Sequence, residues 1–229
     1  MLVLTIKQLT SRSSSLVSLA GQLQSAHASH FMRRLSLPLS SALAVMKLAP
    51  LVGRRIVVIG TSCTGKSTFA SALSRTLGVS HVELDEMFWG PNWTQKPDEE
   101  FRNLVLSAAA AESWVAEGNY GSTRQLLWSR ATTVVWLNYS FHTVFWRAIK
   151  RTVVRSFTRK VLWHGNRESI RRSFFSKDSI LVWVAKTFRQ RQREFGALRA
   201  SDAFPHLVWV EFQHPAQARQ LLKALHNAG

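Results

Sequence analysis

One segment of the sequence has residue types and a spacing that could do phosphate chemistry. It matches the pattern G-x-x-x-x-G-K-[ST] in full, and its residues are Gly60, Thr61, Ser62, Cys63, Thr64, Gly65, Lys66, Ser67 and then Thr68. The glycines let the backbone wrap so that successive N–H groups point at phosphate oxygens. In such a loop the lysine contacts the β- and γ-phosphates, and the hydroxyl that follows it ligates Mg²⁺. The segment predicts nucleoside triphosphate binding, with Lys66 as catalytic cation and Ser67 as metal ligand. A degenerate loop that binds nothing is the alternative.

The elements around this loop fit the prediction. An apolar, β-branched run at 56–59 predicts a buried strand before it, and residues 67–77 predict a helix that ends at Gly78. A second strand is predicted at 79–84, with Asp85 at its end. A carboxylate there could hold Mg²⁺ through water or accept a proton from an acceptor hydroxyl. A role as helix cap or turn residue is the alternative for Asp85.

The rest of the chain alternates between strand and helix patterns. Strands are predicted at 114–117, 132–137 and 207–212, and helices at 97–112, 140–156, 178–199 and 216–226. Strands that alternate with helices indicate an α/β fold, in which a five-stranded parallel sheet is covered by helices on both faces.

Composition narrows the class of protein. The 229 residues are 46% hydrophobic and carry a formal net charge of +17, which favours anionic partners such as phosphates, nucleic acid or an anionic surface. Cys63 is the only cysteine, so an intrachain disulfide and a zinc site of several cysteines are excluded. Apolar stretches fall short of the roughly 20 residues that a membrane span needs.

The first 52 residues differ from the remainder, because they hold five basic residues and no acid and are rich in serine. That composition is typical of a mitochondrial or plastid transit peptide. We favour a disordered tail, or a start placed too early with Met46 as the true start, over such a peptide. We expect a cytoplasmic protein, with the organelles as the alternative, and a separate domain at 53–229.

The sequence resembles a family of adenylate-kinase-related P-loop kinases and ATPases, some of which are described as topology-modulation proteins. The matching segments lie in order between residues 54 and 229 and include GTSCTGKST, HVELDEMFWGPNW, WVAEGNYGSTRQLLWSRA, TVVWLNYS and HGNRESIRRSFFSKDSI. The resemblance implies a three-layer nucleoside-monophosphate-kinase-like fold. It also implies an acceptor-binding insertion at about 86–111, a lid at about 156–177, and the use of ATP and Mg²⁺.

The resemblance also assigns arginines. The family has an aspartate after its fourth strand, an arginine nine residues later and another four residues beyond that; Asn138, Arg147 and Arg151 have this spacing here. Arg147 would lie over the nucleotide and Arg151 would reach the γ-phosphate. A basic face that is solvated or contacts nucleic acid is the alternative. Asn138 replaces the family's carboxylate, which would weaken a metal site.

The lid and the acceptor site complete the set of expected residues. Lid arginines, among them Arg167 and Arg171, would close over the transferring phosphates. Glu117, Asn119 and Arg124 follow the third strand, where the family binds its acceptor, and Arg124 would grip an acceptor phosphate. Trp89 and Trp93 would stack a base or serve as wall residues.

Three functions therefore remain open. The first is a kinase that transfers the γ-phosphoryl group of ATP to a small acceptor. The second is a nucleic-acid-associated ATPase or regulator, because residues 147–199 hold fifteen Lys and Arg against three acids. The third is an ATP-binding protein with weak catalysis, which the amide at Asn138 suggests.

Overall fold

The fold is a parallel sheet with helices packed on it. The computed structural model describes residues 55–158, 163–166 and 180–227. The extension 1–52 lies outside these residues, and so do Arg167 and Arg171 of the predicted lid. None of the helices among the described residues is long and apolar enough to cross a membrane.

The elements follow one another as strands and helices in alternation. The strands are β1 Arg55–Gly60, β2 Ser80–Glu83, β3 Trp114–Glu117, β4 Thr133–Leu137 and β5 Val208–Phe212. The helices are α1 Lys66–Leu77, α2 Leu84–Phe88, α3 Asp98–Ala109, α4 Gly121–Trp128, α5 Phe141–Thr158, α6 Ile180–Ala200 and α7 Pro215–His226. Short 3₁₀ turns lie at Pro91–Trp93 and Trp163–Gly165.

The five strands are all parallel, in the order β2-β3-β1-β4-β5. β1 is therefore central, and its residues 56–60 are all buried, as expected for a strand covered on both faces. The predicted α/β P-loop fold with a five-stranded parallel sheet is confirmed. Because all carboxyl ends of the strands point the same way, the loops after β1, β2 and β3 meet at one edge.

Helices cover both faces of this sheet. On one face α1 and α7 pack together and on the strands, with the ring of Phe69 6.1 Å from that of Phe212. On the other face the rings of Trp128 in α4 and Phe195 in α6 pack edge-on against Trp209 and Trp136 of the sheet. This second face holds the large apolar core.

Some predicted boundaries were wrong, and two helices were not predicted. β2 ends at Glu83, so Asp85 lies in the first turn of α2 rather than at the end of the strand. α3 stops at Ala109, three residues before the predicted end at 112. Helices α2 and α4 escaped prediction because each is short, with five and eight residues, too few for a helical period to stand out.

Candidate nucleotide and phosphoryl-transfer site

The loop between β1 and α1 has the tight backbone that its glycines predict. Gly60 has φ +152°, and a Cβ there would lie 2.8 Å from the carbonyl oxygen of Leu137 and 2.9 Å from the Thr64 hydroxyl. The Thr64 hydroxyl donates to the Thr61 carbonyl at 2.8 Å, which closes the turn. Gly65 adopts a left-handed conformation, with φ +90°, immediately before α1. The first turn of α1, whose amides have no partner within the helix, therefore begins directly after the loop.

Lys66 is the cation of this loop. Its ammonium group donates to the Thr61 carbonyl at 3.3 Å, so the side chain folds back along the loop. Burial lowers the pKa of Lys66, while the charges of Glu117 and Asp85 oppose that shift. Two carboxylates, one at the end of β3 and one in the first turn of α2, are thus within electrostatic reach of one ammonium group.

Glu117, at the end of β3, is the most deeply buried acid in the site, with 2% of its surface exposed. It interacts with the Ser67 hydroxyl and with the Lys66 charge, and its Oε1 is buried without a hydrogen-bond partner. Burial raises the pKa of Glu117 to about 7, against the opposing effects of Lys66 and Ser67. The structure places Glu117 beside the Ser67 hydroxyl of the P-loop. Its expected role in acceptor binding stays a prediction.

Asp85 approaches the same place from the other side of β3. The Tyr120 hydroxyl donates to its Oδ1 at 2.6 Å, and its charge acts on both Lys66 and Glu117. Burial raises the pKa of Tyr120 far above its usual value, and the adjacent Asp85 carboxylate adds to that shift. Tyr120 was not among the predicted site residues. Its position could have indicated it, because Tyr120 lies three residues after Glu117, the acid that ends β3.

This arrangement suits Mg²⁺. That ion prefers oxygen ligands and is usually held by one or two carboxylates together with the phosphates of the substrate. The Ser67 hydroxyl, the Asp85 carboxylate and the orphaned Oε1 of Glu117 supply such a set. Three His, Cys, Asp or Glu side chains do not converge on one point in the described part of the chain, so a metal held by protein ligands alone is not indicated there.

The two predicted arginines of α5 reach the P-loop. Arg147 donates to the Thr64 carbonyl at 2.6 Å, and its guanidinium carbon lies 5.2 Å from the ring centre of the buried Tyr139. Arg151 lies one helical turn further along, and its Nη1 is 3.9 Å from the sulfur of Cys63. Both guanidinium groups therefore lie against the loop that would hold the triphosphate.

Asn119 and Arg124 have internal partners. The Asn119 amide donates to the carbonyl of Gly60 at 2.7 Å and so ties the loop after β3 to the P-loop. Arg124 forms an ion pair with Glu194 of α6, which also accepts from Arg191 at 2.8 Å. Burial opposes ionisation of Glu194, but the two arginines outweigh it and lower its pKa. The role of Arg124 in gripping an acceptor phosphate stays a prediction.

Asn138 has a structural role that its sequence position did not indicate. Its amide donates to Glu211 at 2.8 Å, and its oxygen accepts from Gln192 at 2.9 Å. These bonds join the end of β4 to β5 and to α6. The amide is therefore committed to partners in the protein, and a carboxylate at this position would repel Glu211.

Tryptophans gather on the predicted acceptor insertion. The ring centres of Trp89 and Trp93 are 5.7 Å apart, and Trp163 lies 6.5 Å from Trp93, both in edge-on contacts. The Asn166 side chain stabilises this cluster through two hydrogen bonds to the backbone. Its oxygen accepts from the backbone N–H of Trp93 at 3.0 Å, and its nitrogen donates to the Gly90 carbonyl at 2.9 Å. Residues 163–166, from the predicted lid, thus contact residues 89–93 of the insertion.

Comparisons with known proteins find distant similarity to solved structures. No protein-family profile and no curated relative matches the chain. A shikimate kinase structure from Bacteroides thetaiotaomicron is 16% identical, with a TM-score of 0.44, over 76% of this chain and 97% of that one. A gluconokinase structure from Sinorhizobium meliloti 1021 is 18% identical, with a TM-score of 0.43, over 76% of this chain and 93% of that one. At this level of similarity, the acceptors of those enzymes say nothing about the acceptor of this chain.

Proposed function

We propose that this chain is an ATP- and Mg²⁺-dependent phosphotransferase, which transfers the γ-phosphoryl group of ATP to a small acceptor. The observation that carries the proposal is the contact between the P-loop and the buried carboxylate at the end of β3. Ser67 and Lys66 of the loop interact with Glu117, whose Oε1 is buried without a partner. A buried, unpaired carboxylate oxygen costs free energy, and a metal ion bound beside a phosphate would recover it.

The proposed mechanism relies on positioning and charge neutralisation, as phosphoryl transfer generally does. The loop amides and Lys66 hold the β- and γ-phosphates, while Arg147 and Arg151 approach from α5. The oxygens of Ser67, Asp85 and Glu117 would hold Mg²⁺, which when bound would supply neutralisation of phosphate charge. These residues thereby place the γ-phosphorus for attack from the side of the acceptor insertion.

The chemical step moves one phosphoryl group and one proton. An acceptor hydroxyl oxygen bonds to the γ-phosphorus, the bond to the β–γ bridging oxygen breaks, and ADP leaves. The hydroxyl proton passes to a carboxylate, for which Asp85 is the candidate because it lies in α2, beside the acceptor insertion. The tryptophans at 89, 93 and 163 offer apolar surface for an acceptor ring.

The test of this function is direct. Calorimetry with ATP and Mg²⁺ measures binding, and transfer of labelled γ-phosphate to a panel of nucleosides, sugars and hydroxy acids identifies the acceptor. Binding together with acceptor-dependent release of ADP supports the proposal. Failure of the full-length chain to bind ATP in the presence of Mg²⁺ would overturn it.

A nucleic-acid-associated activity is a second candidate, because α5 and α6 expose aromatic rings among basic side chains. Trp146 and Trp183 are 68% and 51% exposed. The exposed cations on the same helices include Lys150, Lys186, Arg189 and Arg193. Aromatic rings stack on unpaired bases, and cations contact phosphates. Retention on single-stranded DNA that falls steeply with salt, and that weakens when Trp146 and Trp183 are replaced by alanine, would favour this candidate.

A further inference from the structure

A chain of contacts links the tryptophan cluster of the acceptor insertion to the carboxylates of the phosphate site. The ring of Trp89 packs edge-on against Phe88, with centres 4.9 Å apart, and Phe88 contacts the ring of Tyr120 at 4.7 Å. The Tyr120 hydroxyl donates to Asp85 Oδ1 at 2.6 Å. Asp85 in turn acts electrostatically on Lys66 and Glu117.

The ring of Tyr120 is fixed as firmly as its hydroxyl. Its centre lies 4.7 Å from that of Phe88 and 5.0 Å from that of Phe101, in tilted and edge-on contacts. Phe101 is completely buried in α3. The chain next to Tyr120 is also restrained. The side chain of Asn119, the residue before it, donates to the Gly60 carbonyl, and α4 begins at the residue after it. The hydroxyl therefore points at Asp85 from a rigid support.

We infer that Tyr120 is a positioning residue, which orients the Asp85 carboxylate towards Mg²⁺ and the acceptor and couples that orientation to Trp89. The inference rests on the proposed function. By donating to Oδ1, the tyrosine fixes the rotation of the carboxylate, and Oδ2 keeps both of its lone pairs for the site. Partners that fix the orientation of a metal-binding carboxylate tune the affinity of the site for its ion.

The coupling to Trp89 gives the insertion a route to the chemistry. Trp89 contacts Phe88 and Trp93 through its ring, with centres 4.9 and 5.7 Å away, and Phe88 contacts the ring of Tyr120 at 4.7 Å. An acceptor that packs on these rings would shift Trp89. Because the contacts run in series, such a shift would reorient the Asp85 carboxylate through Phe88 and Tyr120.

The experiment compares three conservative variants of the full-length chain. Tyr120→Phe removes the hydroxyl and keeps the ring, and Trp89→Phe reduces the ring that packs against Phe88. Tyr139→Phe is the matched control, because Tyr139 is the only other tyrosine of the chain and lies under Arg147 rather than beside Asp85. Calorimetry gives the affinity for a non-hydrolysable ATP analogue without metal, and then for Mg²⁺ in the presence of that analogue. Hydrolysis of ATP by water gives the rate.

We expect Tyr120→Phe to weaken Mg²⁺ affinity by about 10-fold, as loss of a ligand's supporting bond commonly does, while metal-free analogue affinity stays unchanged. Trp89→Phe should weaken it less, and Tyr139→Phe should leave it at the wild-type value. Unaltered Mg²⁺ affinity in folded Tyr120→Phe protein overturns the inference, and so does an equal loss in Tyr139→Phe. If Tyr120→Phe does not fold, Trp89→Phe decides by the same criterion. If the wild type binds no analogue, the proposed function itself fails, and this inference falls with it.

Discussion

The guanidinium group of Arg147 donates a 2.6 Å hydrogen bond to the carbonyl oxygen of Thr64, so α5 is tied to the backbone of the P-loop. Its Nη1 atom lies 3.3 Å from the position that a Cβ at residue 65 would take. The missing side chain of Gly65 therefore lets Arg147 of α5 come close to the loop. A phosphate would offer Arg147 a charged acceptor, which a guanidinium can contact through two parallel bonds, in place of a single neutral carbonyl. We therefore expect Arg147 to change partner when nucleotide binds.

Replacement of Lys66 by alanine should abolish tight ATP binding and leave the fold intact. The lysine supplies a charge-assisted contact to phosphate, worth about 1.5–3 kcal/mol, so the dissociation constant should rise by roughly 10- to 150-fold. Calorimetry measures the affinity, and circular dichroism checks the fold. Equal ATP affinity in the two folded proteins would contradict the assignment of Lys66.

Alanine variants of Arg151 and Arg193 distinguish a role at the phosphates from a role at the basic surface. Arg151→Ala should lower turnover of ATP by about 10²–10³, as removal of a donor to the transition state typically does, with little change in nucleotide affinity. Arg193 lies exposed on α6 and is the matched control, whereas Arg191 is a poorer one because it pairs with Glu194. Arg193→Ala should leave turnover unchanged. The reverse outcome would favour the nucleic-acid candidate.

Glu117 should make stability depend on pH in the nucleotide-free protein. Its pKa is raised to about 7 in the folded state, from 4.5, so the folded chain holds this proton more tightly than the unfolded chain does. The free energy of unfolding should consequently fall as pH rises from about 4.5 to 7, and Glu117→Gln should remove that fall. Above pH 7 the variant should be more stable by on the order of 3 kcal/mol.

Urea unfolding of both proteins between pH 5 and pH 8, in EDTA, measures this difference. Parallel curves of stability against pH for the wild type and Glu117→Gln would show that the carboxylate is not buried in its charged form. The same variant should also bind Mg²⁺ more weakly in the presence of an ATP analogue, because an amide is a poorer ligand than a carboxylate.

Glu194→Gln tests what Arg124 does. Its partner Glu194 is half-buried between Arg124 and Arg191, so loss of the carboxylate charge should destabilise the fold by only about 1 kcal/mol. If Arg124 also grips an acceptor phosphate, the variant should bind phosphorylated acceptors more tightly, since the internal competitor is weakened. Unchanged affinity for such acceptors would leave Arg124 with a structural role alone.

The sequence predicted the P-loop, the sheet and the strands that carry the site, because each rests on a local pattern. Strand β3 was predicted at its observed residues, 114–117, from an apolar run that an acid and a glycine terminate. The partner of that acid could not be predicted. Glu117 meets Ser67 because β3 pairs with β1 in one particular register, and strand order is a property of the whole sheet.

Contacts between distant parts of the chain explain the other omissions. Tyr120 meets Asp85 across 35 residues, and Asn166 meets Trp93 across 73. Asn138 was expected to matter for metal binding because of its position after β4, but its bonds to Glu211 and Gln192 depend on where α6 and β5 pack. The resemblance supplied Arg147 and Arg151, and both lie against the P-loop, at Thr64 and Cys63. Their roles at the phosphates stay predictions.

The close approach of Gly60 to the carbonyl of Leu137 has a consequence for the order of events during synthesis. The P-loop packs against the end of a strand that is made 77 residues later, and β1 lies between β3 and β4 in the finished sheet. A nascent chain that has been made only as far as α4 contains every residue of the P-loop. It still lacks β4, against whose end the loop packs. Since such long-range pairings form slowly, we expect nucleotide capture to mark late folding, and ATP in the cell to stabilise newly completed chains by mass action.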